Sequence, residues 1–268
     1  MTQKKLASER FTGFLKRFYV FLIFVFLYAP IVTLIVLSFN ASKTRSKWGG
    51  FTLKWYFELF ENETILKAFS NTMIIAFLSA FIATILGTVA CIGIRNMKKR
   101  HQGLIMGVTN IPMLNAEIVT GISLMLLFYL AKLPTGIFTL ILAHMAFCIP
   151  YVILSVLPKL KQADNKTFEA ALDLGATPAL ATWKVTIPEI MPGVITGFLM
   201  AFTLSIDDFI VSYFTTGPGV ENLSILIYNA AKKGVSPSIN ALSALMFAVI
   251  LILLIVINIR TNKAHKKA

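Results

Sequence analysis

The chain has 268 residues, of which 57% are hydrophobic and 14% charged, and its formal net charge is +13. A soluble domain averages about 45–50% apolar and about 25% charged residues, so this composition excludes an ordinary soluble domain and favours a polytopic membrane protein. In that class an excess of Lys and Arg is typical of cytoplasmic loops, so we expect the lipid bilayer, and no nucleic acid, as a partner. The two cysteines, Cys91 and Cys148, lie inside apolar runs and predict buried core residues. Neither a metal-ligand cluster nor a catalytic nucleophile–base spacing is present, so we predict no metal site and no catalytic residues.

Six apolar runs are long enough to cross a membrane, which takes about 20 residues, and they predict an all-α protein with six transmembrane helices. In chain order the runs cover residues 18–39, 69–94, 104–130, 136–157, 192–214 and 240–259. The predicted organisation is a basic tail (residues 1–17), a transmembrane domain (18–259, with a core over about 65–257) and a second basic tail (260–268).

Basic residues are distributed unequally between the two sides of the predicted membrane. With six spans, both termini lie on the same side as the loops that follow the second and fourth runs. That side carries seventeen of the 25 Lys and Arg residues, and the other side carries eight. Because cytoplasmic loops carry the excess of Lys and Arg, we predict that both termini and the loop over residues 159–190 are cytoplasmic.

The predicted outer loop, residues 40–68, contains aromatic and apolar residues at helical spacing. They are Phe51, Leu53, Trp55, Tyr56, Leu59 and Phe60. This spacing predicts a short interfacial helix after the Gly49–Gly50 turn. Trp and Tyr at this level are typical membrane-interface anchors, and a docking surface for an extracellular partner is the alternative.

The third run, residues 104–130, is too long and too polar for a straight span. As an α-helix it would extend about 40 Å, whereas the hydrocarbon core is about 30 Å thick. Its polar residues are Thr109, Asn110, Asn115 and Glu117. We therefore predict a helix broken or kinked near Pro112, with its polar side toward other helices or water.

The cytoplasmic loop begins with a pattern that predicts a short amphipathic helix. Its apolar face carries, at i, i+3, i+4 and i+7, the residues Phe168, Ala171, Leu172 and Gly175. Asn165 or Thr167 can cap the start of this helix. Gly175 is placed to end the helix in a left-handed conformation.

A second set of signals follows in the same loop. Thr177 and Pro178 predict the N-cap and first residue of a second short helix, and Thr186 with Glu189 predicts a capping box just before the fifth span. The segment is therefore either a structural hairpin without a partner or a helix pair that docks into a groove on another protein.

One spacing in this loop is specific. Glu-Ala-Ala is followed, after a gap of three residues, by Gly. After a further gap of nine residues come two aliphatic residues separated by one position, and Pro directly follows the second of them. The matching positions are Glu169-Ala170-Ala171, Gly175, Val185 and Ile187-Pro188. In this spacing the chain resembles the permeases of type I ABC importers, which have Ile and Leu at the two aliphatic positions. The resemblance implies a coupling loop that docks into an ATP-hydrolysing subunit, formed by Glu169, Ala170, Ala171, Asp173, Gly175 and Pro188. Since the chain has no G-x-x-x-x-G-K-[ST] phosphate loop, we expect a non-catalytic subunit without a cofactor, and an ATPase on a separate chain.

Three carboxylates lie inside the apolar runs. A charge at the bilayer centre costs about 2.5–3.5 kcal/mol on insertion scales, so such residues usually face a cavity and serve a function. Adjacent helical residues point about 100° apart, so only one of Asp207 and Asp208 needs to face a path, and the other could bond a serine or cap a helix break. The candidate substrate-path residues are Glu117, Asp207, Asp208, Ser205 and Ser212. His144 is predicted to be a hydrogen-bonded interior histidine.

A longer resemblance covers nearly the whole chain and is strongest after residue 165. Its shared positions are Thr203-Leu204-Ser205, Asp207-Asp208, Ser212, Phe214, Thr216-Gly217-Pro218, Gly234-Val235, Pro237 and Asn240-Ala241-Leu242. In these the chain resembles the permeases of spermidine/putrescine importers, most of all the second permease of that system. The resemblance implies a bacterial cytoplasmic-membrane subunit for polyamines, partnered by a second homologous permease, a cytoplasmic ABC ATPase dimer and an extracytoplasmic polyamine-binding protein.

Three alternatives remain open at this point. A permease for another solute, such as ferric iron or thiamine, would share the coupling loop. An ATP-independent channel or secondary carrier would leave the loop merely structural, although the internal repeat often seen in such carriers is missing for this segment. An intramembrane enzyme lacks support from any nucleophile–base or metal spacing.

Overall fold

The computed structural model describes the backbone of residues 2–42, 47–233 and 236–266, and the side chains of residues 15–42, 47–233 and 236–259. Within these ranges the chain is helical and has no strand, apart from one isolated bridge between Asn40 and Phe51. The predicted all-α class is therefore confirmed. Three of the basic residues that were counted for the predicted orientation lie outside the described residues: Lys43, Arg45 and Lys267. Gly234-Val235 of the polyamine-permease pattern also lie outside them.

The described helices exceed the six predicted spans in number because two spans are broken and short helices lie between them. In chain order they are α1 (Thr2–Ser38), α2 (Lys54–Glu61), α3 (Glu63–Arg95), α4 (Lys99–Leu114), α5 (Glu117–Leu130), α6 (Ile137–Gln162), α7 (Asn165–Asp173), α8 (Pro178–Ala181), α9 (Ile187–Asp207), α10 (Ile210–Thr215), α11 (Leu223–Lys233) and α12 (Pro237–Lys266). Five stretches of the described chain are long and apolar enough to cross a membrane, or six if the bent pair α4–α5 forms one span. The helices that contain the first and last spans extend into the predicted tails, since α1 begins at Thr2 and α12 continues to Lys266.

The chain divides into two compact units: residues 1–62 with 230–248, and residues 63–229 with 249–268. In the first unit the loop after α1 is organised by Asn40, whose side chain accepts a hydrogen bond from the Gly49 amide at 2.8 Å and donates one to the Lys47 carbonyl at 2.9 Å. The Trp55 indole N–H donates to the Asn40 carbonyl at 2.7 Å.

The helix predicted in the outer loop is present as α2, but its tryptophan does not serve as the expected interface anchor. Trp55 is buried, because its indole N–H is satisfied inside the loop. The exposed aromatic residues of α2 are instead Phe57 and Phe60.

The core of the second unit is formed by α3, α6 and α9. Small residues let these helices approach closely, as is usual where the surrounding lipid provides no hydrophobic driving force between helices. A Cβ atom at Gly87 of α3 would lie 2.7 Å from Val152 Cγ1 of α6, and one at Gly197 of α9 would lie 3.3 Å from the Val152 Cα. Val152 is thus held between two glycines on two neighbouring helices.

The third run is broken, as predicted. Its two halves, α4 and α5, are bent by 105° at Asn115 and Ala116, which have extended backbone conformations. Pro112 lies in the last turn of α4, where its ring and missing N–H weaken the helix just before the break.

The fifth predicted span, residues 192–214, is not the single helix that was expected, because it starts earlier and is broken before its end. The helix begins earlier, because α8 runs into α9 through a π-helical turn at Thr182–Thr186. The wider turn lies just before Pro188, whose ring would clash with the carbonyl four residues earlier in a regular α-helix. The helix then ends at Asp207, and α10 starts after a break at Asp208 and Phe209.

Candidate coupling loop and membrane cavity

The coupling loop starts at α7, whose N-cap is Asp164 and not one of the two predicted residues. The predicted caps were Asn165 and Thr167, but the Asp164 side chain accepts the hydrogen bond from the Lys166 amide at 2.9 Å. Asn165 instead accepts a hydrogen bond from the Arg95 guanidinium, which ties the start of α7 to the end of α3.

The end of α7 matches the prediction. Gly175 has φ +87°, a left-handed conformation that favours glycine. Its amide donates to the Leu172 carbonyl at 2.9 Å, and the Ala176 amide donates to the Ala171 carbonyl at 3.0 Å. This pair of bonds closes the helix and satisfies carbonyls that would otherwise lack partners.

The second half of the loop confirms one cap and overturns another. Thr177 caps α8, with Pro178 as its first residue, and its hydroxyl accepts a hydrogen bond from the Leu180 amide at 3.3 Å. The capping box of Thr186 and Glu189 does not form, because the helix is continuous there and has no free amides to cap. The Glu189 carboxylate accepts a hydrogen bond from the Asp164 amide at 3.0 Å, so it links α9 to the start of α7.

One face of α7 borders a groove of about 460 Å³. Phe168 and Leu172 line this groove with Ile92 of α3 and Leu160 of α6. Glu169 also borders it, while its side chain remains exposed.

The remaining coupling-loop candidates face outward or lie partly buried. Ala170, Asp173, Gly175 and Pro188 are exposed, and Ala171 is half-buried. Two large apolar side chains of the same loop are also exposed: Leu174, with 89% of its surface accessible, and Trp183, with 70%. The loop thus combines a small-residue helix with exposed apolar side chains.

All three predicted membrane carboxylates border one cavity, although Asp208 is buried. The cavity has a volume of about 290 Å³, and both Glu117, at the start of α5, and Asp207, at the end of α9, line it with exposed side chains. Phe147 and Phe209 belong to the same lining. The helix breaks before Glu117 and after Asp207 therefore bring two carboxylates from distant parts of the sequence to one place.

Asp208 differs from its neighbour Asp207. Its side chain is buried and caps α10, accepting hydrogen bonds from the amides of Val211 at 3.2 Å and Ser212 at 2.8 Å. The expectation that one aspartate of the pair caps a helix break is confirmed.

A buried polar network adjoins Asp208. His144 is hydrogen-bonded through Nδ1 to the Ser205 hydroxyl at 2.6 Å and through Nε2 to the Ser212 hydroxyl at 2.8 Å, and its Nε2 lies 3.5 Å from Asp208 Oδ2. The Asn222 amide donates to the Ser212 hydroxyl at 2.7 Å. His144 is thus the satisfied interior histidine that was predicted. The two candidate path serines lie in this network and not among the residues that line the cavity.

Most of the chain matches one known protein family. Residues 83–264 match the family described as binding-protein-dependent transport system inner membrane component. The chain belongs to this family. This membership makes the chain a multi-pass permease subunit of an ABC importer, in agreement with its apolar helices.

Relatives of this permease cover almost its full length. It is 36% identical over 250 residues to the spermidine/putrescine transport system permease protein PotC of Haemophilus influenzae, covering 93% of this chain and 97% of the relative. It is 39% identical over 233 residues to PotC of Escherichia coli K12, covering 87% and 88%. The putrescine transport system permease protein PotI of Escherichia coli K12 is 37% identical over 234 residues, covering 85% and 83%.

Solved structures agree on the fold. The permease aligns with a chain of a bacterial alginate ABC transporter, in complex with an alginate-bound periplasmic protein, at a TM-score of 0.70 and 15% identity, covering 98% of both chains. An amino acid ABC transporter aligns at a TM-score of 0.59 and 15% identity, covering 79% of this chain and 99% of that one. At these identities the likeness concerns the fold alone.

Three residues of the buried network and of the loop surface were not predicted from the sequence: Asn222, Leu174 and Trp183. The contribution of Asn222 to the network has no local signal, because its partner Ser212 lies on another element. Leu174 and Trp183 are large apolar residues in a loop that is predicted to face water. Their presence there could have indicated a contact surface from the sequence alone.

Proposed function

We propose that this permease forms part of the path by which an ATP-driven importer carries spermidine or putrescine into the cytoplasm. The observation that carries the proposal is the convergence of Glu117 and Asp207 on one cavity. Two carboxylates suit a substrate with two or more ammonium groups. The rings of Phe147 and Phe209 in the same lining add surfaces that attract cations and contact methylene chains. Relatives named as polyamine permeases, at 36–39% identity, support the same substrate class.

The coupling loop is proposed to dock on a separate ATPase subunit. Its residues are Glu169, Ala170, Ala171, Asp173, Gly175 and Pro188. Exposed apolar side chains on a cytoplasmic surface mark a protein contact, and Leu174 and Trp183 supply them here. The complex would contain an ATPase dimer, a second homologous permease and an extracytoplasmic polyamine-binding protein, with both termini of this chain in the cytoplasm of a bacterial cell.

The contacts of α7 provide a mechanical connection from this loop to the membrane helices. Phe168 and Leu172 line the same groove as Ile92 of α3, and Arg95 at the end of α3 donates to Asn165 at the start of α7. Glu189 adds a link from α7 to α9. A displacement of α7 by the ATPase would therefore act on α3 and α9 through these two hydrogen bonds. Both helices belong to the core of the unit that contains the cavity.

The coupling proposal is tested by reconstituting the four-component complex in vesicles and measuring ATP hydrolysis stimulated by spermidine and the binding protein. Glu169→Lys reverses an exposed charge on the docking helix, and Gly175→Asp strains the left-handed end of that helix, so both should lower the stimulated rate at least tenfold. Glu61→Lys, at the end of α2 on the predicted outer side, is the matched charge reversal and should leave the rate unchanged. Full stimulation in both loop variants would overturn the docking assignment.

The substrate proposal is tested by uptake in the same vesicles. Labelled spermidine should be taken up and should be displaced by unlabelled putrescine, whereas ferric ion and thiamine should not compete. Preferential uptake of ferric ion or thiamine would reassign the permease to another solute while leaving the coupling assignment intact.

A further inference from the structure

A second cavity, unrelated to the proposed substrate path, lies where α3, α4 and α6 meet. Its volume is about 510 Å³. Apolar side chains and cations both line it. The apolar lining residues are Ile94, Met106, Leu157 and Leu160, and the cationic ones are Arg95, Lys99 and Lys161.

The cations all lie at helix ends. Arg95 lies in the last turn of α3, Lys161 lies in the last turn of α6, and Lys99 is the first residue of α4. Because α3 and α6 are long apolar helices, their ends mark the level at which hydrocarbon gives way to lipid headgroups. The predicted orientation assigns this level to the cytoplasmic leaflet.

The lysines of this cavity are not neutralised by protein carboxylates. Among the side chains that the structure describes, no Asp or Glu lies within 4.0 Å of the Lys99 or Lys161 ammonium, and no acidic residue lines the cavity. The Gln102 amide donates to the carbonyls of Arg95 and Met97 at 3.2 and 2.9 Å. These bonds fix the turn between α3 and α4, and with it the position of Lys99.

We propose that this cavity binds an anionic phospholipid. The lipid phosphate would lie between Lys99 and Lys161, and an acyl chain would contact Met106 and Leu157. Basic pockets between transmembrane helices on the cytoplasmic side are suited to anionic headgroups. An acidic peptide could use the same cations, but only a lipid would also use an apolar lining at the edge of the hydrocarbon region.

The test uses the purified full-length chain in detergent, with phosphatidylglycerol and phosphatidylcholine as probes and native mass spectrometry as the readout. We expect phosphatidylglycerol to be retained in preference to phosphatidylcholine. Lys99→Gln with Lys161→Gln should lower that retention about tenfold or more, since each lysine near an anionic lipid surface is worth roughly fivefold in binding. Lys99→Arg with Lys161→Arg should restore it.

Two further variants distinguish lipid binding in this cavity from a general attraction of anionic lipid to the basic surface of the chain. Lys166→Gln with Lys184→Gln removes the same charge from the same predicted side, outside this cavity, and should leave retention within twofold of the wild type. Met106→Trp fills the apolar lining without changing charge and should lower retention at least threefold. Equal losses in the two lysine pairs, unchanged retention in Met106→Trp, or displacement of the lipid by free glycerol phosphate would each overturn the proposal.

Discussion

At the residue scale, two adjacent aspartates with the same chemistry occupy different environments. Asp207 ends α9 with its side chain exposed in the cavity, whereas Asp208 is buried and accepts two backbone N–H groups of α10. Those bonds offset part of the cost of a buried carboxylate. Asp207 is therefore exposed to the cavity that both aspartates border, and Asp208 maintains the helix break.

This difference predicts that substituting Asp207 lowers transport and that substituting Asp208 lowers stability. Asp207→Asn should lower spermidine uptake several-fold and leave the thermal unfolding of the detergent-solubilised chain unchanged. Asp208→Ala should lower the free energy of unfolding by about 1–3 kcal/mol, because two buried amides of α10 lose their acceptor. Equal thermal stability of the two variants would contradict the capping role of Asp208.

At the element scale, glycines decide how closely the core helices pack. Gly87 and Gly93 lie on the same helix, α3, but only the first faces α6. A Cβ at Gly87 would lie 2.7 Å from Val152, whereas nothing lies within 4 Å of a Cβ at Gly93. Gly87 therefore determines the α3–α6 distance, and Gly93 does not.

Substituting these two glycines tests the packing. Gly87→Leu should destabilise the chain by about 1–3 kcal/mol through overpacking, and Gly93→Leu should have a much smaller effect. Val152→Ala should partly rescue Gly87→Leu, since it removes the atoms that clash. Thermal unfolding in detergent measures all four proteins, and identical destabilisation by the two leucines would show that α3 does not pack on α6 as described.

At the scale of the whole molecule, charge predicts the orientation in the membrane, and the helix breaks determine where the cavity bordered by Glu117 and Asp207 lies. Lys and Arg are in excess on the side of the membrane where the coupling loop is predicted. The breaks at Asn115–Ala116 and Asp208–Phe209 lie at the cavity, and irregular backbone at membrane depth is tolerated where it borders a cavity or is buried in protein.

The orientation predicts which introduced cysteines can be reached from outside the cell. Both native cysteines, Cys91 and Cys148, are buried. The experiment uses a variant in which both are replaced by alanine, so that only the introduced cysteine can react. Glu61→Cys should react with a membrane-impermeant maleimide in intact spheroplasts, whereas Ala170→Cys should react only after permeabilisation. The reverse labelling pattern would show that the chain has the opposite topology, and α7 could then not contact a cytoplasmic ATPase.

Much of the coupling loop could be predicted from sequence because its signals are local. The left-handed Gly175 and the Thr177–Pro178 helix start each depend on residues within one or two turns of each other. The predicted box of Thr186 and Glu189 failed because a local capping signal cannot reveal that the helix continues through a π turn into α9. Glu189 then has a partner 25 residues away, at Asp164.

The sequence by itself determined that the chain is an all-α membrane protein, that its third span is broken, and that the loop between the fourth and fifth spans begins with a helix ended by Gly175. These properties depend on composition, run length and short-range backbone preferences. Only the tertiary structure decided that Glu117, Asp207 and Asp208 border one cavity, and that Asp208 also lies beside the buried network of His144, Ser205 and Ser212. Those contacts join residues about 60–90 positions apart, whose meeting is determined by helix packing and breaks and leaves no pattern in the sequence at any one of them.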